Sequence, residues 1–176
     1  TKAEAGSAKC TSCDAGESGT GDGGTCEQCA AGQSRASNDA TTDSCTPCDL
    51  GYYQKDLGQA SCLPCIPGEY QNVTGAESCH KCPENTFTNI SALSSCYSCS
   101  RGTKAEAGSA KCTSCDAGEA GTGTGGTCEQ CVAGQSRKSN DATTDSCTPC
   151  IPGKYQEQKG QTTCYQCILG QHQPNQ

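Results

Sequence analysis

The chain has no Met and no Trp, a single Phe, two His and six Tyr among 176 residues. With so few large apolar side chains it cannot build a conventional hydrophobic core of that size. Nowhere does an apolar run approach membrane-spanning length, so no membrane segment is expected in this window. Two His leave no recurring Ser/His/Asp or Cys/His constellation, and neither His80 nor His172 has a counterpart at its repeat position. Neither an enzyme nor a cofactor is therefore expected. A net charge of −7 argues against nucleic acid and against anionic membranes as partners.

What the chain has instead is cysteine, twenty residues of it, and all of it as Cys-x-x-Cys. The ten pairs are Cys10/Cys13, Cys26/Cys29, Cys45/Cys48, Cys62/Cys65, Cys79/Cys82, Cys96/Cys99, Cys112/Cys115, Cys128/Cys131, Cys147/Cys150 and Cys164/Cys167. Successive pairs begin 16 to 19 residues apart, so the chain is an array of units each too short to bury a core. Cysteine at this density reads as a disulfide scaffold, and disulfides persist in oxidising compartments, which points to secretion or the cell surface. Two N-glycosylation acceptors agree: Asn72-Val73-Thr74 and Asn89-Ile90-Ser91, each beginning seven residues after the second cysteine of its unit.

A longer period overlies the short one. Residues 1–48 match 103–150 at all but four positions: Ser18/Ala120, Asp22/Thr124, Ala30/Val132 and Ala36/Lys138. The offset of 102 residues equals six short units, and beyond Cys48 the copies drift. The organisation expected is a six-unit block over 1–102 and a second, incomplete copy over 103–176, the whole reading as a window from a longer array.

Three residues after the second cysteine stands Gly16, Gly32, Gly51, Gly68, Gly102, Gly118, Gly134, Gly153 or Gly170, with Asn85 in the remaining unit. Glycine with Asn as its sole substitute predicts positive φ and a tight turn after each pair. Five residues on, the middle units carry Tyr53, Tyr70, Phe87 and Tyr155. The short polar stretches between predict two-stranded β units with little or no helix. Residues 1–9 and 103–111 have mild helical propensity, cut short by Gly6 and Gly108.

The simplest bonding scheme joins the second cysteine of one pair to the first of the next: Cys13–Cys26, Cys29–Cys45, Cys48–Cys62, Cys65–Cys79, Cys82–Cys96, Cys99–Cys112, Cys115–Cys128, Cys131–Cys147 and Cys150–Cys164. Other connectivities remain open on sequence alone. A loop of about 13 residues closed in this way contributes roughly 3 kcal/mol, less than the cost of ordering a unit, so stacking on neighbours must supply the rest. The expectation is an elongated, solenoid-like rod in which each unit rests mainly on its immediate neighbour.

The stretch Cys65-Ile-Pro-Gly-Glu-Tyr-Gln-Asn-Val-Thr-Gly-Ala-Glu-Ser-Cys79-His-Lys-Cys82 resembles the GCC2/GCC3, or ephrin-receptor-like, cysteine-rich repeat. More distantly it is similar to tumour-necrosis-factor-receptor repeats. The resemblance implies an extracellular, disulfide-bonded array of the kind found in metazoan receptors and in protist cysteine-rich surface proteins.

Other motifs have plainer readings. Paired Cys-x-x-Cys also fits zinc ribbons, but the acidic charge, scarce His and sequons disfavour a metal. Ten near-equivalent pairs lack the single reactive thiol of a redox enzyme, and metallothionein needs denser cysteine. Gly19 to Gly24 and Gly121 to Gly126 match G-x-G-x-x-G inside a loop, without the flanking strand and helix that phosphate binding needs. Asp39, Asp43, Asp141 and Asp145 lack the spacing of a calcium loop. Tyr70 and Phe87 would share a strand face with Asn72 and Asn89, packing over the adjoining disulfide or lying beneath a glycan. A glycosylated structural protein that self-associates along a fibre is the leading expectation, since repeated surfaces suit repeated contacts. A receptor stalk or ligand-binding ectodomain is the alternative.

Overall fold

The computed structural model describes residues 12–19, 24–36, 44–121, 126–138 and 146–171. Among them there is no helix; every regular element is a strand of two or three residues in a two-stranded antiparallel hairpin. Packing divides the chain into two units, Thr1–Cys82 with Thr88–Cys96, and Pro83–Phe87 with Tyr97–Gln176. That division follows contacts, whereas the 102-residue block follows sequence identity.

In the first unit β1 (Glu17–Gly19) pairs with β2 (Cys26–Gln28), and β3 (Gln33–Ser34) with β4 (Thr46–Pro47). There too β5 (Tyr52–Tyr53) pairs with β6 (Leu63–Pro64), and β7 (Glu69–Tyr70) with β8 (His80–Lys81). The second unit pairs β9 (Thr86–Phe87) with β10 (Tyr97–Ser98), and β11 (Thr103–Lys104) with β12 (Thr113–Ser114). It continues with β13 (Glu119–Gly121) on β14 (Cys128–Gln130), β15 (Gln135–Ser136) on β16 (Thr148–Pro149), and β17 (Lys154–Tyr155) on β18 (Tyr165–Gln166). Residues 103–111 open with β11 and continue as turn, so their helical propensity is overridden by hairpin pairing.

Each hairpin is a rung that starts at the second cysteine of a pair. The rung opens with a turn: the N–H of Glu69 donates to the carbonyl of Ile66 at 2.9 Å around Pro67 and Gly68, whose φ is +89°. Pro then Gly at the two central positions is the arrangement of a type II turn, which needs positive φ at the second. Asn85 takes the same role with φ +61°, as Gly/Asn alternation at this position requires.

Nine disulfides join the second cysteine of each pair to the first of the next, from Cys13–Cys26 to Cys150–Cys164, closing 13 to 16 residues each. Cys167 is unpaired, and Cys10 lies outside the described residues. The second cysteines form most of the buried apolar set, with Cys65, Cys82 and Cys115 fully enclosed. The first cysteines are half-buried.

Backbone hydrogen bonds tie each rung to the next. Gly51 donates to Gln71 at 2.8 Å while its own carbonyl accepts from the N–H of Cys65, also at 2.8 Å. Stacking also reaches the second neighbour, beyond the immediate neighbour that disulfide loops alone imply. The carbonyl of Cys65, one rung back, accepts from Ala92 at 2.9 Å, and a Cβ placed on Gly51, two rungs back, would lie 2.2 Å from the Ala92 oxygen. The same contact joins Gly16 to Gly58, Gly32 to Gly75 and Gly118 to Gly160. The partner residue stands ten after its second cysteine and has positive φ at Gly58, Gly75, Ala92 and Gly160. Only a turn residue without a Cβ allows so close an approach of the partner's carbonyl.

Candidate interaction surface

With so little apolar material, the interior is filled by polar side chains at one position. Six residues after the second cysteine lie Arg35, Gln54, Gln71, Thr88, Arg137 and Gln156, all buried. Burial of such groups is tolerable only when they are hydrogen-bonded. Gln71 donates through Nε2 to the carbonyl of Ser78 at 2.6 Å, and its Oε1 accepts from the N–H of Val73 at 2.9 Å. Gln54 binds Ser61 and Asp56 in the same way, and Gln156 binds Thr163 and Gln158. Each glutamine therefore clips its own loop shut from inside. Arg35 points to the preceding rung instead: its Nη1 donates to the carbonyls of Glu17 at 2.7 Å and Cys13 at 3.3 Å. Arg137 makes the equivalent bonds to Glu119, Cys115 and Asp116. In that preceding rung the equivalent residue is Gly19 or Gly121, which has no side chain to offer.

The interior is thus spent on holding rungs together, and chemistry is left to the surface. Among the described residues no cluster of three His, Cys, Asp or Glu is arranged to hold a metal. Asp39, Asp43, Asp141, Asp145, His172 and most of both Gly-rich loops lie outside the described residues. His80 is exposed.

Asn72 and Asn89 are both exposed, on loops. The strands end at Tyr70 and Phe87, so the alternation that would set ring and sequon on one face does not extend to either Asn. The rings pair across the hairpin instead. Tyr70 faces His80 with centroids 5.9 Å apart, Phe87 faces Tyr97 at 5.9 Å, and Tyr155 faces Tyr165 at 6.2 Å, all tilted. Their partners follow the first cysteine of the closing pair, a spacing fixed by hairpin register.

Shallow grooves indent the surface formed by the described residues. One of about 400 Å³ is lined by Ser34, Thr46, Pro47, Asp49 and Tyr52. Its counterpart 102 residues on, about 380 Å³, has Ser136, Lys138, Thr148, Pro149, Ile151 and Lys154. A third, about 520 Å³, carries Glu84, Lys104, Glu106 and Lys111, of mixed sign. Beside it Lys104 forms ion pairs with Asp116 at 2.6 Å and Glu119 at 3.0 Å. The hydrogen bond to Asp116, then that to Glu119, raises the Lys104 pKa above its ordinary value.

Among known families, residues 36–68 and 57–93 match the one described as tyrosine-protein kinase ephrin type A/B receptor-like. No curated protein matches the chain. The matched residues span the rungs that begin at Cys48 and Cys65, whose turns and glutamine clips are described above. Together with the repeated disulfides, the match makes this a cysteine-rich, ephrin-receptor-like repeat array in that stretch, a module typical of extracellular and cell-surface proteins. No helix among the described residues is long and apolar enough to cross a membrane.

Proposed function

We propose that this chain is an extracellular structural protein, a glycosylated, disulfide-stapled repeat array that forms or coats a filament, a flagellar hair or a cell-surface layer. Its role is mechanical and cohesive, with no catalysis and no cofactor. One observation carries the reading. A 48-residue block recurs with four changes, and the bonds that pack it recur with it. Gly16 donates to Arg35 at 2.8 Å and Gly118 to Arg137 at 2.9 Å; Gly32 donates to Gln54 at 2.6 Å and Gly134 to Gln156 at 2.7 Å. Two equivalent surfaces on one chain suit repeated contacts with like surfaces, which is how fibres and layers grow. A binding site for a single ligand would instead be singular, and among the described residues no cluster of exposed aromatic and Arg residues marks one. The exposed sequons at Asn72 and Asn89 fit a glycan coat on such an array.

A second reading is a receptor stalk or ligand-binding ectodomain, favoured by the family match over 36–93, most of which lies outside the recurring 48-residue block. Electron microscopy of material isolated from its native source separates the two. Filaments or ordered layers decorated by an antibody to this chain support the structural role. Isolated particles that capture one heterologous protein through 66–102 overturn it in favour of the receptor.

A further inference from the structure

The two grooves six rungs apart are alike in volume and unlike in charge. They share Ser34/Ser136, Thr46/Thr148 and Pro47/Pro149, and their volumes are about 400 and 380 Å³. The buried Arg35 also borders the first groove, its guanidinium turned inward to backbone carbonyls; what differs is the outer ionisable lining. Ala36 becomes Lys138, Asp49 becomes Ile151 and Tyr52 becomes Lys154. Further along the same rung Asp56 becomes Gln158 and Leu57 becomes Lys159 while Lys55 becomes Glu157, so the formal charge over 49–57 is −1 and over 151–159 is +1. Ala36 to Lys138 is one of only four changes within the 48-residue block. The segments next to these positions carry the same aspartates in both copies, Asp39 and Asp43 against Asp141 and Asp145, so they leave the difference intact.

The imbalance runs through the chain. Residues 1–102 hold six Lys and Arg against twelve Asp and Glu, whereas residues 103–176 hold six against seven. Lys138 and Lys159 are exposed and Lys154 is half-buried. Among the described residues the only ion-paired lysine is Lys104. On the first-block rung Asp49 and Asp56 are exposed, as is Lys55, which leaves the rung with a net charge of −1.

We propose that the Lys138/Lys154 groove takes the Asp49/Asp56 rung of a second copy of this chain, pairing the second block of one molecule with the first block of another. This rests on the self-associating reading above. Two first-block grooves meeting each other would oppose like charges, as would two second-block grooves; only the pairing shifted by one block brings opposite signs together. Such a contact is heterologous: one molecule keeps its acidic rung unused and the other its basic groove, so the association is open to propagation. Because the charges are largely exposed, it is strengthened at low ionic strength and screened by salt.

The test uses the full oxidised chain in sedimentation velocity over a concentration series at low and high salt. Wild type should show concentration-dependent association that salt weakens. Lys138→Glu/Lys154→Glu, and separately Asp49→Lys/Asp56→Lys, should each weaken self-association by about tenfold. Mixing the two variants should restore it, since each then carries the sign the other lacks. Intact mass showing the same disulfide complement in both variants guards against misfolding. Self-association unchanged by either reversal, or no rescue on mixing, overturns the charge pairing while leaving self-association standing. A chain monomeric at every salt concentration overturns both. A chain that ignores itself but binds dextran sulfate through Lys138 and Lys154 makes the groove a polyanion site and also overturns the proposal.

Discussion

Substituting Gly51 and Gly153 by Ala separates two costs that the turn glycines combine. Both have φ near +80°, at +81° and +82°. An L-residue in that region costs about 1–2 kcal/mol, and the gain from a stiffer unfolded chain is shared by both variants and cancels. The surroundings differ. A Cβ on Gly153 meets nothing within 4 Å, whereas on Gly51 it lies 2.2 Å from the Ala92 oxygen and 2.5 Å from the Ala92 carbonyl carbon. That carbonyl must retreat by about 1 Å to reach ordinary contact distance. Its residue is held by the 2.9 Å bond from Ala92 N–H to Cys65, next to the 2.8 Å bond from Gly51 N–H to Gln71. Each bond is worth about 1 kcal/mol net. Gly153→Ala should therefore cost about 1–2 kcal/mol and Gly51→Ala about 3–5 kcal/mol. Native-state hydrogen exchange is the assay, because disulfides hold the array together after local opening. The amides of Gly51, Cys65 and Ala92 should lose protection in Gly51→Ala far more than those of Lys154 and Cys167 do in Gly153→Ala. Equal losses at the two sites would refute second-neighbour packing as a source of stability.

Gln71→Leu keeps the volume but leaves the carbonyl of Ser78 and the N–H of Val73 without their buried partner, at a cost of about 1–3 kcal/mol; exchange of Val73 N–H should accelerate while that of Asp56, clipped by Gln54, does not. The Lys104 pKa is raised in the folded chain, so its ion pairs contribute fully below the ordinary lysine value and are lost as pH rises through the raised one. Because Lys104 and Asp116 are well solvated, Lys104→Ala should cost under about 1 kcal/mol, and direct NMR titration of Nζ should give a midpoint above that of a lysine peptide. Peptide mapping of native material after glycosidase treatment should show Asn-to-Asp conversion at Asn72 and Asn89 and none at Asn38 or Asn140, which lack the acceptor pattern.

What the sequence discloses and what it hides divide along a physical line. The period is visible because cysteine spacing is unmistakable, and the turn is visible because Gly yields only to Asn where φ is positive. The buried position six residues after the second cysteine is not. Its occupants run Gly19, Arg35, Gln54, Gln71, Thr88, Ala105, Gly121, Arg137 and Gln156, with no shared polarity or size. Where the occupant is Arg or Gln, hydrogen bonds to backbone carbonyls make its burial tolerable, and hydrophobic periodicity carries no trace of those. The second-neighbour contact did leave a signal, in Gly58, Gly75 and Gly160 ten residues after their second cysteines. Ala92 interrupts the series, although its φ of +63° performs the same turn. The aromatic pairs depend on hairpin register, which places Tyr70 opposite His80 and Tyr155 opposite Tyr165.

The same division explains why surface charge carries the functional argument. Rung-to-rung cohesion rests on backbone groups, disulfides and one buried polar position, none of which needs a particular outward side chain. Exposed positions next to the grooves are therefore free to change at little cost in stability. Outward residues are nonetheless nearly identical over 48 positions, and the switch from Ala36 to Lys138 stands at the edge of a groove. Where folding leaves a surface unconstrained, a chain that repeats it and then reverses its charge at the equivalent groove has the pattern of two complementary contacts. Reversing those charges, and then restoring them by mixing, tests contact between copies without disturbing the bonds that fold each one.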